Sequence, residues 1–272
     1  MTGSRVRWLI LLTGLIVAAP MLSARETPTA LTREQQAEFL ATARIISHKN
    51  IPKGVTHPIR LTLTDGSVTH DAAFSSVNEN KPIMRFKDGR TELNFVDSYK
   101  YTVAAYQVGQ LLGLDDMMPV AVARAIDHQL GSLTWWVDGV QFDEGDRVKQ
   151  GANPPDPGEW SRQMCRMRVF TQLVADADRN QTNLLITNDW KLWMIDFTRA
   201  FRLKKEIGAL DVTRCDRQLL ARMQTLTRPM LEEKTRHLLS GGEIDALLAR
   251  RDAIVARIAQ LVAERSEALV LF

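Results

Sequence analysis

Cysteine is scarce in this chain: Cys165 and Cys215 are the only two in 272 residues. Two cysteines make no disulfide framework. Without a C-x-x-C pair, neither a dithiol redox site nor a cysteine-built zinc site is encoded. One bridge between them stays open for an exported chain, while Cys165, set on an apolar helical face, also suits a buried thiol. No charge of one sign dominates. Lys and Arg number 35 against 32 Asp and Glu, a formal charge of +3. The basic stripe of a nucleic-acid binder is missing, and clusters such as Arg202, Lys204 and Lys205 read as solvated surface. The five histidines (His48, His57, His70, His128, His237) form no H-E-x-x-H. There is no G-x-S-x-G and no G-x-x-x-x-G-K-[ST], so a zinc hydrolase, a serine-elbow hydrolase and a P-loop enzyme are disfavoured. Repeats and low-complexity stretches are lacking. The 45% hydrophobic and 25% charged residues are ordinary globular proportions.

The one long apolar run is N-terminal. Residues 1–24 hold no acid, two basic residues (Arg5 and Arg7), the apolar stretch Trp8–Ala19, Pro20, and the exit Leu22-Ser23-Ala24. That order is the layout of a secretory signal peptide, too short to be an ordinary membrane span. An uncleaved N-terminal anchor is the alternative, since Leu22 is not small. In both cases the rest of the chain is expected outside the cytoplasm, periplasmic or extracellular.

Thr32-Arg-Glu-Gln35 reads as a capping box that opens a helix to about Ile46. Residues 59–64 and 68–74 alternate around the turn signal Asp65-Gly66, and another strand is expected over 83–87. Asp97 or Ser98 caps a helix that ends at Gly113. Strands near 119–126 and 132–137 follow. The polar stretch 141–158, with Pro154, Pro155 and Pro157, reads as a loop and as a lobe boundary. A helix is expected over 159–175, a polar loop over 176–183, strands at 184–187 and 191–195, then helices, one opened by the capping box Ser240–Glu243. Strands before helices predict an α+β fold of two lobes, 31–138 and 139–272.

The stretch 174–199, VADADRNQTNLLITNDWKLWMIDFTR, carries the chemistry. Asp178 and Asn183 stand five apart in a loop after a helix. A hairpin later, Asp196 ends an apolar strand and is followed by Phe197. Phosphoryl transfer needs this set: a carboxylate to receive or orient an acceptor hydroxyl, and an amide and second carboxylate to hold Mg²⁺ or Mn²⁺ on nucleotide phosphates. Calcium is the rival reading, with Asp176, Asp178 and Asn180 at positions 1, 3 and 5 of an EF-hand-like loop. Gln181 then replaces the turn glycine and Thr187 the bidentate glutamate. The plainest alternative is a polar turn between helix and strand. Arg179 and Arg199 are placed to pair with these carboxylates or to contact phosphate.

The D-x-x-x-x-N loop, the Asp-Phe at a strand end, and the stretch 97–122, DSYKYTVAAYQVGQLLGLDDMMPVAV, resemble the atypical branch of the protein-kinase-like superfamily. That branch comprises Fam20-type, HipA-type and PI3/PI4-kinase-like proteins. The resemblance covers roughly residues 59–205. It implies a two-lobed fold with ATP and a divalent metal in the cleft, and transfer to a hydroxyl on a protein, lipid or sugar. It assigns Asp178 as the catalytic carboxylate, Asn183 and Asp196 as metal ligands, and Lys87, at the end of MRFK, as the lysine on the α/β-phosphates. The Gly-rich phosphate loop of ordinary kinases is missing, which leaves Gly66 in its hairpin to cover the phosphates. Thr102 stands where the branch has an acid, so Glu92 or Asp97 is left to partner Lys87. These departures make a non-catalytic binding or scaffold domain the second reading, and nucleotidyl transfer a third.

Overall fold

A computed structural model describes residues 31–50, 58–208 and 212–272; the expected signal segment lies outside them. Thr32–Phe272 form one compact unit. Helix α1 (Arg33–Thr42) starts with the expected capping box: the Gln35 N–H donates to Thr32 Oγ1 (3.2 Å) and the Thr32 N–H to Gln35 Oε1 (2.8 Å). It ends four residues before Ile46, because the chain leaves as β1 (Arg44–Asn50), an edge strand antiparallel to β2 (Ile59–Thr64). The Asp65-Gly66 turn leads into β3 (Thr69–Ser75) as expected; the Asp65 carboxylate accepts from the Ser67 and Val68 N–H groups, and Gly66 takes φ 97°, where glycine is favoured.

Between β3 and the next helix the sequence suggested one strand at 83–87. The structure has a two-stranded ribbon instead, β4 (Asn78–Arg85) with β5 (Thr91–Ser98). Pro82 interrupts β4, which a ribbon with free edges tolerates because a free edge loses no ladder bond. Helix α2 (Tyr99–Leu112) is capped by Ser98 and closed by Gly113 in the left-handed conformation. Strands β6 (Ala121–Ile126) and β7 (Gln129–Trp135) complete a five-stranded antiparallel sheet of order β1-β2-β3-β7-β6. Helix α1 covers it, with Phe39 edge-on to Trp135 at 5.6 Å.

Residues 141–158 are only partly loop. They begin with β8 (Val140–Asp143) and α3 (Glu144–Gln150), whose N-cap is Asp143. Their polarity hid a strand that needs only its backbone to pair with β9. Helix α4 (Pro157–Val174), β9 (Leu184–Thr187) and β10 (Leu192–Met194) follow close to the expected bounds, and β10-β9-β8 form a small sheet. The remainder is helical: α5 (Arg217–Thr225), α6 (Arg228–Thr235), α7 (Gly241–Arg265) and α8 (Glu267–Val270). The fold is therefore α+β, sheet-rich in its N-terminal part and helical in its C-terminal part. Among the described residues, no helix is long and apolar enough to cross a membrane.

Two polar anchors fix the parts on one another. Arg250 of α7 is fully buried and donates to the carbonyls of Leu173 (2.8 Å), Arg202 (2.9 Å) and Lys204. The Tyr101 hydroxyl of α2 donates to Glu243 in the first turn of α7.

Cys165 and Cys215 are both buried and both free, so the bridge left open by the sequence is not made. Burial pushes the Cys215 thiol up to about 12, and a thiol reacts through its thiolate. At pH 8 the native protein is expected to resist iodoacetamide at both cysteines and to take two labels after denaturation, read by mass spectrometry. Labelling of Cys215 in the native state would contradict this packing.

Candidate active site

Helix α4 stops where Ala175 turns left-handed (φ 47°), and the Asp176 N–H reaches back to the Thr171 carbonyl (3.2 Å). The next eight residues are fastened by their own polar groups. Asp176 Oδ1 accepts from the Asp178 N–H (3.1 Å). The Asp178 carbonyl accepts from the Asn180 N–H (2.8 Å), the Asn180 side-chain amide (3.3 Å) and Asn183 Nδ2 (3.0 Å). Asn180 Oδ1 caps the single 3-10 turn 181–183 through the Thr182 N–H and hydroxyl. Asn183 is thereby buried beside the Asp178 backbone with its Nδ2 committed, which leaves Oδ1 as the atom it can offer a ligand.

Asp196 comes to the same place from the end of β10. The Ile195 N–H donates to the Asn183 carbonyl (3.1 Å). Asp196 adopts φ 54°, and its Oδ1 accepts from the Thr198 hydroxyl (3.0 Å). Phe197 is buried edge-on to Phe170 of α4 at 5.6 Å. Asp178 and Asp196 are exposed, and the Asp178 carboxylate has no protein partner among the described residues. The site thus presents two reachable carboxylates and the buried amide of Asn183, and the polypeptide around them is tightly held.

What holds it is Arg179. Its guanidinium donates to the carbonyls of Asn183 (2.9 Å), Ile195 (2.6 Å) and Asp196 (3.3 Å), pairs with Asp176 at 2.6 Å, and lies 4.2 Å over the Phe197 ring. The side chains of this ion pair are 6% and 0% exposed. Burial pushes the Asp176 carboxyl up, against the pull of Arg179. One arginine therefore locks the Asp178 loop to the Asp196 strand end. The sequence reading left the role of Arg179 open and gave Asp176 only to calcium. The i,i+3 spacing of the pair was the available signal. With Asp176 taken by Arg179 and Asn180 by Thr182, the EF-hand reading has lost two of its three ligands.

Two of the sequence-expected residues are not brought here. Lys87 is exposed in the turn of the β4–β5 ribbon. Six residues of ribbon, about 20 Å at strand spacing, separate the Arg85–Thr91 pair next to that turn from the Glu79–Asp97 pair at the ribbon's base. The sheet strand that precedes α2 is β3, and it has no lysine or arginine. Gly66 lies at the Thr69 end of β3; the Ser75 end is the one that leads through Val77 to the base of the ribbon and Thr198. A Cβ built at Gly66 meets nothing within 4 Å. Thr102 is buried in α2. Glu92 does not pair with Lys87; it accepts from both Arg199 and Arg202, which makes Arg199 an ion-pair partner.

The donors fit a small hard cation. They are all oxygens, and Asp97, beside Asp196, has an Oδ1 shut off from solvent without a partner. No three acidic, histidine or cysteine side chains among the described residues enclose a metal on their own. The arrangement suits Mg²⁺ or Mn²⁺, which take one or two carboxylates and complete their shell with phosphate and water.

No protein-family model and no curated protein matches the chain. Solved structures do match in fold. Hydra Fam20, solved with sugar, superposes with a TM-score of 0.63 at 13% identity over 88% of this chain and 91% of that one. The Golgi casein kinase with Mn/ADP bound gives 0.62 at 14% identity, covering 88% and 78%. The Helicobacter pylori proinflammatory kinase CtkA gives 0.51 at 10% identity, covering 85% and 99%.

Proposed function

We propose that this chain, whose fold is that of the atypical protein-kinase-like proteins, transfers a phosphoryl group from a nucleoside triphosphate to a hydroxyl acceptor. The observation that carries this reading is the convergence of Asp178, Asn183 and Asp196 under the Arg179 clamp. Asp178, exposed and unpaired, takes the proton of the acceptor hydroxyl at its carboxylate. Asn183 Oδ1 and a carboxylate oxygen of Asp196 would hold Mg²⁺ or Mn²⁺, which would supply positive charge against the phosphates when bound. The clamp keeps these groups in register, so little rearrangement is needed when the nucleotide arrives. Lys87 and Gly66 have no part in this scheme. The lobes are taken as 31–138 and 139–272, with the nucleotide between them. Export follows from Arg5, Arg7 and the apolar run Trp8–Ala19.

A second reading, nucleotide binding with little or no turnover, is favoured by one observation: β3 carries no cation for the phosphates. Melting of the full chain with ATP, with and without Mg²⁺ or Mn²⁺, tests the part common to both. At one hundred times Kd, binding adds about 2.7 kcal/mol, a rise of several degrees. The rise is expected only with metal and is expected to vanish in Asp196→Ala. A folded parent that does not respond to any nucleotide–metal pair would remove both readings.

A further inference from the structure

Three of the most exposed large apolar side chains among the described residues lie on the β4–β5 ribbon or next to it. Ile83 and Leu93 pair across its strands and are 53% and 67% exposed. Leu203, on the segment that follows Asp196, is 63% exposed. Arg202 sews the two segments together: it donates to the carbonyls of Asn94 (2.9 Å) and Val96 (3.2 Å) and pairs with Glu92. Leu93 and Leu203 are thus each the chain neighbour of a residue in one hydrogen bond. Cations surround them. Arg85 and Lys87 near the ribbon's tip, and Lys204 and Lys205 beyond Leu203, are exposed and make no ion pair among the described residues. The acids here are mostly engaged: Glu79 by Lys81, Asp88 by Arg90, Glu92 by Arg199 and Arg202. The ribbon and residues 199–206 together hold eight Lys and Arg against five Asp and Glu, a net +3 equal to that of the whole chain.

We propose that the ribbon and residues 202–205 dock this chain on an anionic bilayer surface. The three apolar side chains enter the headgroup layer and the four free cations lie on lipid phosphates. Apolar groups interleaved with unpaired cations suit that interface. A ribbon that projects from the fold is convex; it gives a folded partner little to grip, whereas a fluid surface needs no matching shape. The apolar run Trp8–Ala19, read above as the export segment, already brings the chain to a membrane, and stable attachment takes more than one signal. The ribbon's base is bonded to Thr198, two residues past Asp196, through the Ser98 N–H (2.9 Å), so docking sets the candidate site at the bilayer. The proposal does not depend on phosphoryl transfer.

Both native cysteines are buried, so Leu93→Cys and Leu203→Cys can each carry a polarity-sensitive dye on the full chain. Leu269→Cys, at a position 65% exposed on α8, is the control. Leu203 lies beside Gly242 at the start of α7, and α8 follows the far end of that 25-residue helix, about 35 Å away. Vesicles are phosphatidylcholine alone or mixed with phosphatidylglycerol. The N-terminal run can tether the chain to both, so the difference between them reports the patch. The dye is expected to brighten and shift to the blue at Leu93→Cys and Leu203→Cys on phosphatidylglycerol vesicles only, and at Leu269→Cys on neither. Adding Arg85→Gln and Lys204→Gln is expected to lower the ratio of inserted to free ribbon about 30-fold. Equal shifts on both vesicles, or a shift at Leu269→Cys, would mean tethering alone and overturn the patch. No shift on any vesicle also overturns it; a response to polyglutamate in that case would give the cations to an acidic protein partner. Should Leu93→Cys not fold, Ile83→Cys reads the same cross-strand pair.

Discussion

Asp178→Asn is expected to slow ATP turnover by about 10²–10⁴-fold, the usual worth of a positioned general base. Metal-dependent nucleotide binding and melting temperature should stay close to the parent's. The separation is sharp because the residue does two unrelated jobs. Its backbone carbonyl accepts three hydrogen bonds that build the loop, and asparagine keeps that carbonyl. Its side chain is exposed, and its carboxylate makes no hydrogen bond or ion pair among the described residues. Turnover can be read with water or the chain's own hydroxyls as acceptor, so the natural acceptor need not be known. Turnover within threefold of the parent would place the proton acceptor elsewhere. A collapse of stability would mean that the carboxylate is structural after all.

Arg179→Met should do the opposite and cost stability first. Removing one member of a buried ion pair costs about 3–5 kcal/mol, because the other charge is stranded. Here the stranded group is Asp176, whose side chain has no exposure. Three carbonyls, of Asn183, Ile195 and Asp196, lose donors at the same time. Chemical denaturation measures the loss directly. Arg179→Lys should not rescue it, since one ammonium cannot serve four acceptors set around a planar fork. A loss below about 1 kcal/mol, the range of exposed pairs, would show that the clamp is not holding the loop.

The grouping of the candidate site residues was more legible in the sequence than the frame around them. Asp178, Asn183 and Asp196 lie within nineteen consecutive residues, and local spacing with a helix before and a hairpin after was enough to group them. The capping boxes at Thr32 and Ser240 and the cap at Ser98 were equally local, and each stands where it was expected. Elements that depend on distant partners were harder to see. Strand β1 reads as a continuation of α1, because Arg44–Asn50 is mostly exposed and gains its conformation from pairing with β2. Strand β8 looks like loop until β9 lies beside it. Lys87 was assigned by resemblance, as the lysine closing the expected strand 83–87, but it follows β4 in the turn of a ribbon outside the main sheet. The true partners of Glu92 stand 107 and 110 residues away, a separation that no pattern in one chain reveals.

That separation has a consequence for the order in which the molecule is made. Glu92 and Asp97 leave the ribosome well before the residues they face. At about 5–20 residues per second, the interval until Arg202 emerges is roughly 5–20 s. Glu243, which anchors Tyr101, is 142 residues behind its partner. Closing loops of this length carries an entropic cost that only later contacts repay. Through this interval the ribbon has neither its arginines nor α7, and Ile83 and Leu93, paired across its strands, are apolar and exposed even in the finished fold. The candidate site is written in a few adjacent residues, yet it can form only once both halves of the described chain have been made and joined.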